Sequence, residues 1–172
     1  MRFITSFITV LLLAVSALAL NVNIARTSSE VQTATKPKPP KVCDSKYNKA
    51  DLAQKQYEAV ADFADLFVNK HDVLTAFNRW VPGEYKQHNP FSAQGRDAAI
   101  KFLSDSFKSG TKTSKLTFFA GQGYGMQHFK MSSGNTTFAV VDYFKFKGTC
   151  IVEHWDVLQT ITGTELNPIA FF

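Results

Sequence analysis

Thr137-Phe138-Ala139-Val140-Val141-Asp142-Tyr143-Phe144-Lys145-Phe146-Lys147 and, after Gly148-Thr149, Cys150-Ile151-Val152-Glu153-His154-Trp155-Asp156-Val157-Leu158-Gln159 decide the fold of this chain. Both runs are rich in aromatic and β-branched residues and meet at a glycine-containing turn, which predicts consecutive antiparallel strands. Side chains along a strand alternate between faces. Phe138, Val140, Asp142, Phe144 and Phe146 therefore share one face of the first strand. On the second, Val152, His154, Asp156 and Leu158 share a face, and Ile151, Glu153, Trp155 and Val157 share the other. A carboxylate standing among Val and Phe, as Asp142 does, must find a partner or bind its proton more tightly. That is how a protein makes an acid or base for use near neutral pH. His154 and Asp156 also fit a purely structural role, as a hydrogen-bonded pair that pins two strands.

Working upstream, Leu116 to Ala120 and Tyr124 to Met131 read as two further strands. Gly121-Gln122-Gly123-Tyr124-Gly125 between them reads as a hairpin turn rather than a phosphate cradle. Before the strands the period is helical. Asn48 is placed to cap a helix in which Ala53, Tyr57, Val60, Ala64 and Phe67 recur, running to about Val68. Val73 to Trp80 predicts a short second helix. Pro82-Gly83 is a turn, Glu84 to His88 a short extended piece, and Pro90 keeps Asn89 out of helical geometry. Arg96 to Phe107 predicts a third helix, with Ile100, Leu103 and Phe107 on one face and Ser109-Gly110 ending it. Helices followed by a strand meander give the α+β class: a curved, mostly antiparallel sheet wrapped by about three N-terminal helices. Such a cone-shaped half-barrel has an apolar interior open at one end, which is pocket architecture.

The chain has 172 residues, 45% of them hydrophobic and 16 of them Phe, enough for one domain with a real core. A charged fraction of 19% excludes a disordered or coiled-coil protein. Residues 1–19 read as a secretory signal: Arg2, then the apolar Val10 to Val15, then Ala17-Leu18-Ala19. The alternative, a membrane anchor, needs a longer apolar run than Thr5, Ser6 and Thr9 leave. The expected localisation is extracellular, with no membrane association after signal removal. Residues 20–45 form a Pro/Lys/Ser/Thr-rich linker, 46–160 the domain and 161–172 a C-terminal tail. Of two cysteines, Cys43 and Cys150, an oxidising compartment makes one disulfide; two buried thiols are the alternative. A bridge would close roughly 107 residues, worth about 4–5 kcal/mol on the chain-entropy account. Asn135-Thr136-Thr137 is a glycosylation sequon beside Ser132-Ser133-Gly134, a pattern that short sequences also produce by chance. The net charge of +5 rests partly on Lys36, Lys38 and Lys41 in the linker, and no Arg-rich stripe marks a nucleic-acid surface.

His88 ends the short extended piece, and His128 lies on a strand in phase with Tyr124 and Met126. His88, His128, His154 and Asp156 include the donors of a metal site. No tight ligand spacing joins them, so none is assigned to a metal. No nucleophile-elbow, P-loop or dinucleotide-binding motif is present in the sequence.

These residues resemble a known family. Tyr85-Lys86-Gln87-His88-Asn89-Pro90 is similar to its "Y-x-QHNP" element, Ala139 to Lys145 to "VVDxFR", and Ile151 to Gln159 to "IVEHWDVxQ". Phe67-Val68-Asn69-Lys70-His71-Asp72 is similar to the "FNxHD" that follows the first helix. Together, in collinear order over roughly residues 50–160, they resemble the SnoaL-like (polyketide cyclase-like) proteins of the nuclear-transport-factor-2-like superfamily. Two features depart from the pattern. Gly148-Thr149-Cys150 replaces the usual Gly-Lys turn, and Gly121 to Lys130 matches poorly. The resemblance implies a cone-shaped α+β barrel, often a homodimer. In the cyclases it implies cofactor-free acid–base catalysis of an intramolecular aldol condensation, with Asp156 at the matching position of the base.

The expectation is a lyase- or isomerase-type enzyme acting, without cofactor, on a small apolar carbonyl compound. Asp156 is the general base, His154 orients it or takes its proton, and His88 holds the substrate oxygen. Asp142, Phe144, Val140, Leu158 and Tyr85 complete the substrate pocket. This mechanism requires His88 and Asp156 on the same side of the sheet. A secreted binding module without chemistry fits the same cone. So does a dimerising domain whose mouth is plugged or whose neighbour is covered by Pro168-Ile169-Ala170-Phe171-Phe172.

Overall fold

A computed structural model describes residues 42–172; the expected signal and most of the expected linker fall in residues 1–41, outside the described residues. Helix α1, Leu52–Ala64, buries Gln56, Ala59, Val60 and Phe63, a stripe at helical spacing that faces a core. It starts later than an Asn48 cap predicts. Asp51 holds the cap position, and its carboxylate accepts from the Tyr47 hydroxyl at 2.6 Å instead of from helix backbone. The buried stripe is also rotated: Tyr57 lies at its margin, half exposed against Phe118. A π-helical turn over Asp65–Asn69 continues α1 and keeps Leu66, Phe67 and Val68 inside. His71 then takes a left-handed φ of 56°, and Asp72 caps helix α2, Val73–Trp80, by accepting from the Thr75 N–H at 3.1 Å.

The short strand β1, Lys86–Gln87, precedes helix α3, Arg96–Lys108. Four long strands follow: β2 (Lys112–Gly121), β3 (Tyr124–Ser133), β4 (Thr136–Lys147) and β5 (Cys150–Ile161). They form one five-stranded sheet in the order β1-β5-β4-β3-β2. The meander is antiparallel throughout, and β1 joins the edge of β5 in parallel, with Gln87 opposite His154. Gln122 and Gly123 at the β2–β3 turn both have positive φ, the hairpin geometry expected from the glycine-rich stretch. The sheet is curved and not closed, and the helices cover its concave face. The architecture is the α+β cone.

That face is built from aromatic rings. Phe63 of α1 meets Phe144 of β4 edge-on at 5.2 Å, and Phe67 meets Phe129 of β3 at 5.9 Å. α1 packs tightly on β3 at Gly125: a Cβ there would lie 2.4 Å from a Val60 methyl. The C-terminal residues pack elsewhere. Phe172 stacks on His128, on the outer face of β3, so the tail does not plug the cone.

Cys43 and Cys150 form the disulfide, with Cα atoms 5.1 Å apart. It is the centre of a clasp. Asp44 and Thr149 exchange backbone and side-chain hydrogen bonds at 2.8 and 3.0 Å, and Gln56 of α1 donates to the Gly148 carbonyl at 2.8 Å. Gly148, at φ 56°, is required here because a Cβ would stand 2.2 Å from the Asp44 carbonyl oxygen. Replacing both cysteines by Ala is expected to lower the unfolding free energy by about 2–5 kcal/mol. Urea titration of the two proteins measures it, and superimposable curves would show that the clasp adds no stability.

Candidate active site

Alternation along β4 and β5 brings two polar rows onto the concave face. Gln127, Asp142 and Asp156 stand opposite one another across β3, β4 and β5. Gln87, His154 and Phe144 form the adjacent row across β1, β5 and β4. Two carboxylates directly opposed on neighbouring strands repel, so the pairing persists only with protons or donors between them.

The donors are present. His154 Nδ1 lies 2.7 Å from Gln87 Oε1. An amide oxygen only accepts, so the Nδ1 carries the hydrogen. His154 Nε2 faces Asp142 Oδ1 at 3.3 Å. That contact is attractive only with a proton in it, as imidazolium N–H to carboxylate or carboxyl O–H to imidazole. Asp142 Oδ2 accepts from Gln127 Nε2 at 2.6 Å, and the buried Gln127 Oε1 has no protein partner. Asp156 accepts from the Asn89 side-chain amide, whose backbone N–H in turn donates to Gln87 Oε1 at 3.0 Å. His154 and Asp156 are therefore not bonded to each other as a strand-pinning pair; each is held by a residue of β1 or the loop after it, Gln87 and Asn89.

Burial is the main force on Asp156 and on the Tyr85 phenol. It pushes the Asp156 carboxyl above the usual range; the Asn89 bond and His154 oppose that, and the nearby Asp142 adds to it. Burial, followed by the charges of Asp142 and Asp156, pushes the Tyr85 phenol far above its ordinary value. Tyr85 is thus a neutral O–H donor at every physiological pH.

These groups form the polar end of a cavity of about 260 Å³. Its walls include Phe63, Phe77, Phe129, Phe138 and Phe144, with Phe91 and Phe102 exposed at the rim. A larger depression of about 460 Å³ flanks the disulfide and gathers no comparable set of groups.

Asp156, His154, Asp142, Phe144, Val140, Leu158 and Tyr85, nominated from sequence, all line the one cavity. His88 does not. It is on the outer face, stacked on Trp155 at 4.4 Å with Nε2 3.2 Å from Glu153 Oε2. Neighbours on an extended segment point oppositely, so the alternation that turns Tyr85, Gln87 and Asn89 inward turns His88 outward. A substrate-holding role for His88 is thereby corrected. Gln87 and Asn89 are the residues that sequence reasoning missed, although alternation applied to Tyr85–Asn89 would have found them. Gln127 carried no such signal, since its stretch matches the family pattern poorly. His128 is likewise on the outer face, away from His154. Among the described residues, the group able to surround a cation is Asp142, His154 and Asp156, whose ligand atoms lie within 4.8 Å of one another.

No family model matches the chain, and no curated protein matches it. Solved structures do. A candidate ketosteroid isomerase from Kribbella flavida superposes with a TM-score of 0.54 at 8% identity, over 67% of this chain and 85% of that one. An NTF2-like protein of unknown function from Mesorhizobium loti gives 0.52 at 18% identity, over 66% and 98%. AclR of Streptomyces galilaeus, a candidate hydroxylase, gives 0.50 at 13% identity, over 63% and 90%. The fold implied by the sequence motifs is the one these chains share: this protein has the α+β cone of the NTF2-like structures.

Proposed function

We propose that this is a secreted enzyme that moves a proton next to the carbonyl of a small, mostly apolar molecule, without a cofactor. The observation that carries the proposal is the convergence of Asp142, His154 and Asp156 within 4.8 Å at the polar end of an aromatic-walled cavity. Asp156 takes the proton alpha to the carbonyl. Its burial raises its basicity, and Asn89 fixes its orientation. Charge then develops on the carbonyl oxygen, for which the Tyr85 hydroxyl is the neutral donor that the cavity supplies. The Asp142–His154 contact holds a second proton for return to the product, and Gln87 and Gln127 hold that contact in place. A chain of the same fold is named for an isomerisation of this class. An isomer, a ring-closed aldol and an eliminated alkene are the products open to this chemistry; all three begin with the same proton abstraction.

Export is part of the proposal. A leader at residues 1–19 fits the Cys43–Cys150 disulfide, and Asn135 stands exposed at the β3–β4 turn, where a glycan meets no obstacle. No helix among the described residues is long and apolar enough to cross a membrane.

Asp156→Asn is expected to lower turnover of a small cyclic ketone or enone by about 10²–10⁴-fold, while His88→Ala leaves it within about two-fold. Product analysis by mass spectrometry of wild type and both variants checks this. Equal turnover in wild type and Asp156→Asn would remove Asp156 as the base, and no turnover in either would leave a binding protein.

The raised basicity of Asp156 has its own signature in stability. The folded state binds the Asp156 proton more tightly than the unfolded state does, so this group's contribution declines as pH rises through the raised value. Asp156→Asn removes that decline. The variant is therefore expected to gain on wild type between acidic and neutral pH, with no relative gain below the ordinary carboxylate range. Thermal unfolding of both proteins across pH measures it; parallel profiles would mean that Asp156 titrates normally.

A further inference from the structure

The apolar wall of the cavity continues out through its mouth. Inward positions on β4 run from Asp142 through Val140 to Phe138, about 13 Å at the rise of an extended strand. Phe129 and Met131 of β3 run beside them. Where this wall meets solvent, three lining side chains are apolar and exposed: Phe91 by 84%, Phe102 by 51% and Leu158 by 39%. They come from the loop after β1, from α3 and from β5, so three elements place large apolar groups around one opening. A single exposed apolar residue is ordinary, but a cluster continuous with a cavity marks a ligand surface. The backbone that carries Phe91 is also held in place. The Phe91 N–H donates to Asn89 Oδ1 at 2.6 Å, and the Ser92 N–H donates to the Asn89 carbonyl at 3.3 Å. Gln94 ties the far end of the loop to β1: its Oε1 accepts from the Gln87 N–H at 3.1 Å, and its amide donates to the Gln87 carbonyl. Asn89, which holds Asp156, thus also sets the ring that stands in water at the mouth. A ring on a fixed backbone gives up little freedom when a ligand covers it.

We infer that the substrate is elongated: a carbonyl head lies beside Asp156 and Tyr85, and an apolar tail passes Val140 and Phe138 and leaves between Phe91, Phe102 and Leu158. The inference rests on the cavity being the ligand site proposed above and specifies the shape that site selects. The enclosed volume of about 260 Å³ lies below the roughly 300–1,000 Å³ usual for drug-sized ligands. A molecule small enough to be wholly enclosed leaves the rim bare, whereas a longer one takes the rim out of water. The tail carries no anionic group, because the lining has no Lys or Arg to pair with one. The same lack separates the rim from a bilayer-docking surface, which gathers basic residues around its apolar groups. The chain's own C-terminus is not the occupant, since Phe172 stacks on His128 across the sheet.

Ketones with one head and increasing length test this: 2-butanone, 2-hexanone, 2-octanone and 2-decanone, titrated into the full chain in D2O near neutral pH. NMR follows binding, and mass spectrometry reads deuterium exchange alpha to the carbonyl in the same samples. Each methylene that leaves water adds about two- to four-fold in affinity, so 2-decanone is expected to bind at least about fifteen-fold tighter than 2-hexanone. The double variant Phe91→Ser/Phe102→Ser should cut that ratio to about five-fold or less, its fold being checked by melting temperature. Val157→Ser, which changes an exposed apolar residue on the outer face of β5, should keep the wild-type ratio. Wild-type affinity that levels off at 2-hexanone would overturn the inference and leave a compact ligand in the cavity. A ratio that survives the double variant would overturn it too, as would one that Val157→Ser lowers equally. Levelling off together with co-sedimentation on phosphatidylcholine vesicles would assign the rim to a bilayer instead. Failure of all four ketones to bind would remove the cavity reading along with the tail. Length-dependent binding that the double variant loses, without deuterium exchange, would uphold the tail site and overturn the proton transfer alone.

Discussion

The contact between Asp142 and His154 is what allows this sheet to carry acid groups on its buried face. A carboxylate in an apolar cone is costly unless a charge-assisted hydrogen bond holds it, and Asp142 has two partners, His154 at 3.3 Å and Gln127 at 2.6 Å. Because Asp142 is held, Asp156 can stand directly across from it in register without the two oxygens requiring the same donor. Because His154 spends its other ring nitrogen on Gln87, the imidazole cannot rotate away. The cavity keeps its shape around these bonds, and the aromatic walls can remain purely apolar.

The two-residue strand β1 follows from the same requirement. It adds little to the sheet by itself, yet its parallel pairing with β5 places Gln87 beside His154. The His88 N–H then donates to the His154 carbonyl at 2.9 Å and extends the register by one residue. Pro90 next turns the chain away from the edge and leaves Asn89 over Asp156. A short, irregular segment thus supplies most of the donors that the regular strands cannot. Functional groups commonly lie on such connections, held by a rigid scaffold.

This division explains what the sequence revealed and what it hid. Over Phe138–Lys145 and Glu153–Leu158 the strands keep one period, so alternation alone placed Val140, Asp142, Phe144, His154, Asp156 and Leu158 together; Ile151, expected on the outer face with Glu153 and Trp155, is instead buried in the core opposite Phe146, because the register shifts there. The register break between Lys145 and Phe146 lies beyond the polar rows and does not disturb them. Helix positions were legible to within a few residues. The start of α1 was misread because Asn48 has capping chemistry while Tyr47 and Asp51 pair with each other. His88 was misplaced for a different reason: a histidine draws attention as a chemical group, but its direction is set by its place in the alternation. Gln127 was invisible because a neutral amide on a strand has no signature until the carboxylate it serves is located.

The outer face of β5 shows why position outweighs residue type here. Glu153, Trp155 and His88 form a second network there, with His88 stacked on Trp155 and Lys145 bonded to Glu153. His88 and Lys145 hold the Glu153 carboxyl below its ordinary range, the reverse of what burial does to Asp156. Glu153 and Asp156 are three positions apart on one strand and differ only in which side of the sheet they face. On the wet side two basic partners favour the charge; on the dry side burial opposes it. A carboxylate whose charge is opposed is one that gains from a proton, and of the two acids on β5 only Asp156 is so placed.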